Sequence, residues 1–580
     1  MKRPDPVCSV VILMVLVSWL CAAGQPQTNI TVPTWHNDNW RTGRNARETI
    51  LTPTTINSPS KFGKVCAVVT DGQIYAQPLV VANVTIHGKS YGNVIYVATQ
   101  NDSVYAFDGN SVGPTCSLLL QTNLLQAGEH AADCHEVVFK GCGSIAPVIG
   151  ILGTPVIDTG TSTIYLVTQG QVGNPGTSFF FRLHALDITT LSNTPEKFGG
   201  PVVVGTSGFA QAHVQRSGML LLAGAAANGD SIVYCAFEHG VKPWANGYIY
   251  GYDAQRLQAS PAVLRTTPNG IGGGIWQSGA ALAAGVDSAG GQRYLFLGIS
   301  DGTFDANNAS PPNHDYGDSF LKLPPNLVPI TPASASTYFT PFNQSCLLSA
   351  DSDFGSGGVL LVPDGALTTH LYLAISAAKD GNIYAMDRTA PGGYNGSSNT
   401  NLQTIPNSGT STACKSSHPY FGGAAYWHHF IYFAARGGKL SRYQLSDSCT
   451  QGGPICTDSS SVVTTTVTFS AGATPSISAS DTTSGIVWAI AGGGQVTGPP
   501  YAALYAFDAL NLDANNRLKS LWNSAQCPTS NRDRPGYATK FTTAAIANGR
   551  VYIGTQDPSD STNTRGELDI YGLNPTGTCN

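Results

Sequence analysis

Several stretches of this 580-residue chain bring together side chains able to do chemistry. Gly298-Ile-Ser-Asp-Gly302 places a serine in the G-x-S-x-G pattern of a hydrolase nucleophile. That pattern works where a strand runs through a strained turn into a helix. The residues that follow, Thr303-Phe-Asp-Ala-Asn-Asn-Ala-Ser-Pro-Pro312, do not make a helix, so the serine is read as structural. His130, Asp133, Cys134, His135, Glu136 and Cys142 crowd one loop and offer nitrogen, sulfur and oxygen ligands to a transition metal. Their spacing matches no zinc pattern, and a Cys134–Cys142 disulfide suits an oxidising compartment better. Asp351-Ser-Asp353-Phe-Gly355 has the two carboxylates of a calcium turn without the other ligands of an EF-hand loop. His428 and His429 are consecutive on a predicted strand and therefore face opposite sides.

The elements that hold these residues repeat. Tyr105-Ala-Phe-Asp108 returns as His184-Ala-Leu-Asp187, Tyr250-Gly-Tyr-Asp253, Tyr384-Ala-Met-Asp387 and Tyr505-Ala-Phe-Asp508. Weaker copies end at Pro324, Ser446 and Asn574. Before each copy stands another β-branched and aromatic run, such as Val94-Ile-Tyr-Val-Ala98 or Thr163-Ile-Tyr-Leu-Val167. Many units begin with a third, such as Gln77-Pro-Leu-Val-Val81 or Thr154-Pro-Val-Ile157. Gly, Asn and Asp bound these runs, as they bound strands, and almost no segment keeps a helical period. Eight copies of a three-to-four-strand unit, 59 to 79 residues apart, predict an all-β fold, a single eight-bladed β-propeller. A ring must close. Lys61 to Val69 reads as a strand ahead of the first unit and is expected to pair as the outer strand of the last blade.

Composition agrees. Charged residues are 11% of the chain, against roughly 25% in ordinary globular proteins. That excludes coiled coils and helical solenoids, and a net charge of −5 argues against a nucleic-acid partner. Lys2 and Arg3, the apolar run Val10–Ala23 and the small residues at 22–24 read as a secretory signal. The expected organisation is a signal over 1–24, an N-terminal strap over 25–61 carrying Trp35-His-Asn-Asp-Asn-Trp40, and the propeller over 62–580. No later segment is apolar enough to span a membrane, so a secreted or periplasmic protein is expected. Eleven of the 13 cysteines lie beyond the signal. Cys134–Cys142 and Cys449–Cys456 are close enough in sequence to pair, and an odd count leaves one thiol over. No Cys-x-x-Cys-His occurs, so c-type haem is not expected.

Gly153-Thr-Pro-Val-Ile-Asp158, the Ala-x-Asp strand endings and Lys379-Asp-Gly-Asn-Ile-Tyr-Ala-Met-Asp-Arg388 resemble the pyrroloquinoline-quinone (PQQ) repeat propellers, which include the quinoprotein alcohol dehydrogenases. The stretch Asn37-Asp-Asn-Trp-Arg-Thr-Gly-Arg-Asn45, with Gly72-Gln-Ile-Tyr-Ala-Gln-Pro78, is most similar to secreted bacterial PQQ-like propellers of unassigned activity. The resemblance implies a cofactor site on the axis holding PQQ and calcium. By motif, Gly273-Gly-Ile-Trp276 resembles the segment that supplies the indole floor, and Asp301 stands where an amide binds calcium. Asp318, in Tyr316-Gly-Asp-Ser319, resembles the catalytic base, and Lys379 the cation that faces the quinone.

The departures from that pattern carry as much weight. The adjacent cysteine pair that packs over the cofactor has no counterpart. Gln169-Gly-Gln-Val-Gly-Asn-Pro175 stands where a glutamate ligand is expected, and most blades lack the Thr-Gly-x-x-x-Trp docking motif. The expectation is a binding or scaffold propeller with a degenerate central cofactor pocket, acting on a small molecule, glycan or protein. The alternatives are a PQQ/Ca²⁺-dependent alcohol or sugar dehydrogenase using Asp318, Asp301, Trp276 and Lys379, and a carbohydrate- or protein-binding propeller using its face loops.

Overall fold

The computed structural model describes residues 29–580 apart from 139–140, 144, 243, 309–313, 330–332, 407–413, 493–499 and 580. The expected signal over 1–24 lies outside the described residues. Eight antiparallel sheets follow one another along the chain. The first blade shows the plan: Leu79–Ile86, Lys89–Ala98, Ser103–Asp108 and Leu118–Asn123, running from the axis outwards. The inner strands of the others are Val156–Asp158, Leu220–Leu222, Ala283–Val286, Val359–Leu361, Ala425–Trp427, Ser476–Ser480 and Ala545–Ala547.

The repeated aspartate has a local cause. At the end of each strong copy its side chain accepts a backbone N–H two residues on: Asp108 from Asn110 (3.0 Å), Asp187 from Thr189 (2.8 Å), Asp253 from Gln255 (3.1 Å), Asp387 from Thr389 (2.8 Å) and Asp508 from Leu510 (3.0 Å). This Asx turn ends the third strand at Asp108, Asp187, Asp253 and Asp387, whereas at Asp508 the strand runs on to Leu512. His428 and His429 are not on a strand. They are the two central residues of the hairpin between Ala425–Trp427 and Phe430–Ala434, with φ of 49° and 62°. Twisted strands prefer a two-residue turn with both φ positive, and that geometry overrides the run of strand-like neighbours.

The core lies between blades. One buried cluster packs the first blade on the second through Tyr96, Ile157, Ile164 and Leu166. Another joins the last blade to the first through Val65, Tyr552, Ile570, Val80, Ile95 and Tyr105. The ring closes as expected. Phe62–Thr70 pairs antiparallel with Gly566–Leu573, from Phe62 opposite Leu573 to Thr70 opposite Gly566. Cys66–Cys116 ties this closing strand to the first blade, and Cys134–Cys142, Cys346–Cys414, Cys449–Cys456 and Cys527–Cys579 are also paired. Cys235 is left over and buried.

The strap makes one circuit of the axis. Val32 pairs with Val80 of the first blade, and the Pro33 carbonyl accepts from Ile157 of the second (2.8 Å). Asn39 Nδ2 donates to the Leu221 carbonyl of the third (2.9 Å). The carbonyls of Asn39, Trp40, Thr42 and Gly43 then accept from Ala284, Leu361, Tyr426 and Ile477 of the fourth to seventh, at 2.7 to 2.8 Å. Asn45 Nδ2 reaches the Ile546 carbonyl of the eighth (3.1 Å). Inner strands leave a free hydrogen-bonding edge at the axis, and the strap supplies its partners. No helix among the described residues is long and apolar enough to cross a membrane.

Candidate functional site on the propeller axis

The loops leading into the inner strands converge at one end of the axis. Trp276 precedes the inner strand of the fourth blade, Asp353 that of the fifth, Phe421 that of the sixth and Phe541 that of the eighth. Asp301 follows the second strand of the fourth blade (Arg293–Gly298), and Lys379 lies between Leu373–Ala377 and Asn382–Asp387 of the fifth. Glycine allows the fourth and fifth blades to meet here: a Cβ on Gly298 would lie 2.8 Å from the Gly355 Cα.

The structure brings Trp276, Asp301 and Lys379 together. The Lys379 ammonium lies 5.3 Å from the Trp276 ring centroid. It pairs with Asp353 and, at 2.8 Å, with Asp351. The Asp301 amide donates to Asp353 Oδ1 at 3.0 Å, and ligand oxygens of Asp301, Asp351 and Asp353 all lie within 4.8 Å of one another. Asp318 stands just behind. It is fully buried, with its carboxylate held by the Phe354 amide (3.2 Å) and Gln344 Nε2 (3.4 Å).

These carboxylates divide the charge between them. Burial, followed by the neighbouring Asp353 charge, pushes Asp301 up to about 10. Burial also disfavours charge on Asp353, yet Lys379 and the hydrogen bond shared with Asp301 hold it well below the usual carboxylate range. The pair therefore shares one proton, Asp301 carrying it and Asp353 staying ionised beside Lys379. Burial and the Asp353 charge raise Asp318 far above its ordinary value.

A second, cationic group sits across Phe541. Arg216 is buried with its guanidinium 4.6 Å from the Phe541 ring centroid. Burial, Arg216 and Arg436 together push Lys540 down to about 8. Glu238, at the end of Ile232–His239 in the third blade, is raised by burial to about 7 although Arg216 opposes that shift.

The donor set suits a hard cation, which Asp301, Asp351 and Asp353 would hold. The space does not suit a flat tricyclic quinone. Trp276 is only 8% exposed, and Phe421 and Phe541 lean on it with centroids 6.2 and 5.9 Å away. The axial cavity bounded by Phe541, Arg216, Tyr75 and the strap's Trp35 has room for about one water molecule, far less than ligand pockets of roughly 300–1,000 Å³.

No family model matches the chain, and no curated protein matches it. Solved structures do. A europium-containing methanol dehydrogenase superposes with a TM-score of 0.55 at 12% identity, over 94% of this chain and 98% of that one. The quinohemoprotein alcohol dehydrogenase from Comamonas testosteroni gives 0.54 at 12% identity, over 95% and 82%. That from Pseudomonas putida HK5 gives 0.53 at 11%, over 95% and 81%. The fold is that of the quinoprotein dehydrogenases. At such identities the likeness concerns the fold, and the chemistry rests on the residues described above.

Asp353 was legible only as half of a calcium turn, because its proximity to Asp301 and Lys379 arises across two blades. Glu238, Arg216, Lys540, Phe421 and Phe541 carried no sequence signal. Gln169, where a glutamate ligand was expected, donates to the Ala210 and His213 carbonyls and serves the second and third blades structurally. Ser300 is buried, and the next element after it among the described residues is the strand Phe320–Leu323 rather than a helix.

Proposed function

We propose that this protein is an exported binding propeller that keeps the scaffold and part of the pocket of the quinoprotein dehydrogenases without their quinone. The observation that carries this reading is the filled axis: Phe421 and Phe541 lean on Trp276, and the cavity between Phe541 and the strap's Trp35 has room for about one water molecule. The acidic cluster is also internally compensated, since Lys379 and a shared proton supply what a cation would. Five cysteine pairs fit a folding compartment that is oxidising. Calorimetric titration of the mature chain with PQQ, with and without calcium, tests the reading. No heat at millimolar quinone is expected. Micromolar binding that requires calcium and disappears in Trp276→Ala would overturn it.

A second reading, a PQQ/Ca²⁺-dependent dehydrogenase, draws on the grouping of Trp276, Asp301, Asp353 and Lys379. In that reading Asp353 is better placed than Asp318 to take a substrate proton. It is the ionised carboxylate of the group, whereas Asp318 is buried and held by Phe354 and Gln344. An Asp353→Asn variant that abolishes calcium-dependent alcohol oxidation while Asp318→Asn retains it would establish this assignment.

A further inference from the structure

The segment leading into the second blade crowds six ligand-type side chains, and the fold sorts them. His130 and Glu136 serve structure. The His130 ring nitrogens lie 3.0 and 2.9 Å from the Ala131 and Gly173 carbonyls, and Glu136 accepts Gln171 Nε2 (2.6 Å) and the Gly176 amide (2.9 Å). Asp133, Cys134, His135 and Cys142 remain, and one ligand atom from each lies within 4.8 Å of all the others. His135 Nδ1 stands 3.0 Å from Asp133 Oδ1, 3.1 Å from Cys142 Sγ and 4.0 Å from Cys134 Sγ. Tetrahedral zinc, with bonds of about 2.0–2.2 Å to nitrogen and oxygen and about 2.3 Å to sulfur, sets such atom pairs about 3.4–3.6 Å apart. The three separations bracket that value. The two sulfurs are the exception, since they are bonded to each other, whereas two thiolates on zinc sit about 3.8 Å apart. Cα atoms 5.0 Å apart leave that separation within reach of side-chain rotation. The frame is fixed: Ala132 and Asp133 pair with Ile149 and Val148, the Asp133 amide donates to Gln171 Oε1 (2.7 Å), and Cys134 is fully buried with its amide on the Pro147 carbonyl (3.2 Å). The His135 side chain is 75% exposed, which gives an ion access.

We infer that the dithiol form of this segment is a zinc site, with Cys134, Cys142, His135 and Asp133 as its four ligands, and that zinc and the Cys134–Cys142 disulfide exclude one another. A dithiol reductant supplies two electrons and two protons, which break the S–S bond, and it leaves as its own disulfide. Zn²⁺ then displaces both thiol protons and binds the two thiolates, so each ion taken up releases two protons. Thiolate and imidazole are preferred zinc donors, and a carboxylate completes the set. The thiolate is the metal ligand, so re-forming the disulfide removes two of the four ligands and expels the ion. Linear spacing conceals the site, because three ligands are consecutive and the fourth returns across a loop. The inference goes beyond the binding-propeller reading and does not depend on it.

The test uses the full mature chain, reduced with dithiothreitol, freed of it by anaerobic gel filtration and titrated with Zn²⁺ and, for its spectrum, with Co²⁺. Alkylation and mass spectrometry identify which cysteines have become thiols. One zinc per chain at about micromolar affinity or tighter is expected, and Co²⁺ should show tetrahedral bands with thiolate charge transfer. The oxidised chain should bind neither ion. His135→Ala changes an exposed side chain, so it should leave the disulfide of the oxidised chain intact. It should weaken zinc binding by about 100-fold or more, beyond what an outer-shell partner contributes. Cys134→Ser combined with Cys142→Ser should abolish binding. A Cys134–Cys142 pair that resists reduction until the chain unfolds, no zinc uptake by the dithiol form, or equal uptake by the oxidised chain would each overturn the inference. So would zinc retained in the double serine variant, which assigns the ion to another reduced pair, or affinity unchanged in His135→Ala. None of these results bears on the quinone titration.

Discussion

Asp102 is fully buried, and neither of its carboxylate oxygens makes a well-formed hydrogen bond. Burial raises its pKa well above the ordinary value, with the Gln169 amide and the Arg182 charge offsetting this in part. The folded chain therefore binds a proton here that the unfolded chain has released above about pH 4. Stability contributed by this group is lost as pH rises from that point toward the raised native value. Asp102→Asn should flatten that part of the pH–stability curve, as measured by urea denaturation at several pH values.

At the scale of the element, the strap links the inner strands around the axis. Arg41 holds it in place. Its guanidinium is fully sequestered and donates to Leu282 O (2.8 and 2.7 Å), Thr34 Oγ1 (2.9 Å), Trp35 O (3.0 Å) and Asp38 O (3.0 Å). Arg41→Ala removes the guanidinium donor from the buried Leu282 and Trp35 carbonyls and should cost about 3 kcal/mol or more, seen as a lower unfolding midpoint. The hairpin at His428-His429 predicts the opposite sign. Both residues have positive φ, so His428→Asn with His429→Gly should raise stability by about 0.5–1 kcal/mol. The polar and aromatic character of the strap was visible in Trp35-His-Asn-Asp-Asn-Trp40. Its circuit was not, because its partners are backbone groups of eight separate strands.

Over the whole molecule, stability depends on closing the ring. The first and last blades meet through a strand from the far end of the chain, and Cys66–Cys116 spans 50 residues across that junction. Removing both cysteines should cost about 4 kcal/mol by chain-entropy reasoning. The loss should appear in chemical denaturation of the double Cys→Ala variant and be larger than for Cys449–Cys456, whose loop is only 7 residues. Strand order, blade number and closure were all legible in the sequence. Each depends on local alternation and on an Asx turn that one short motif encodes, repeated often enough to imply a ring. The ligand end of the axis was not legible in the same way. Trp276, Asp301 and Lys379 could be picked out by motif, but Asp353, Phe541 and Arg216 come from different blades, and no spacing along the chain relates them. Whether an axial pocket is open, filled or charged depends on how side chains from eight loops pack around one point, and that arrangement exists only once the ring has closed.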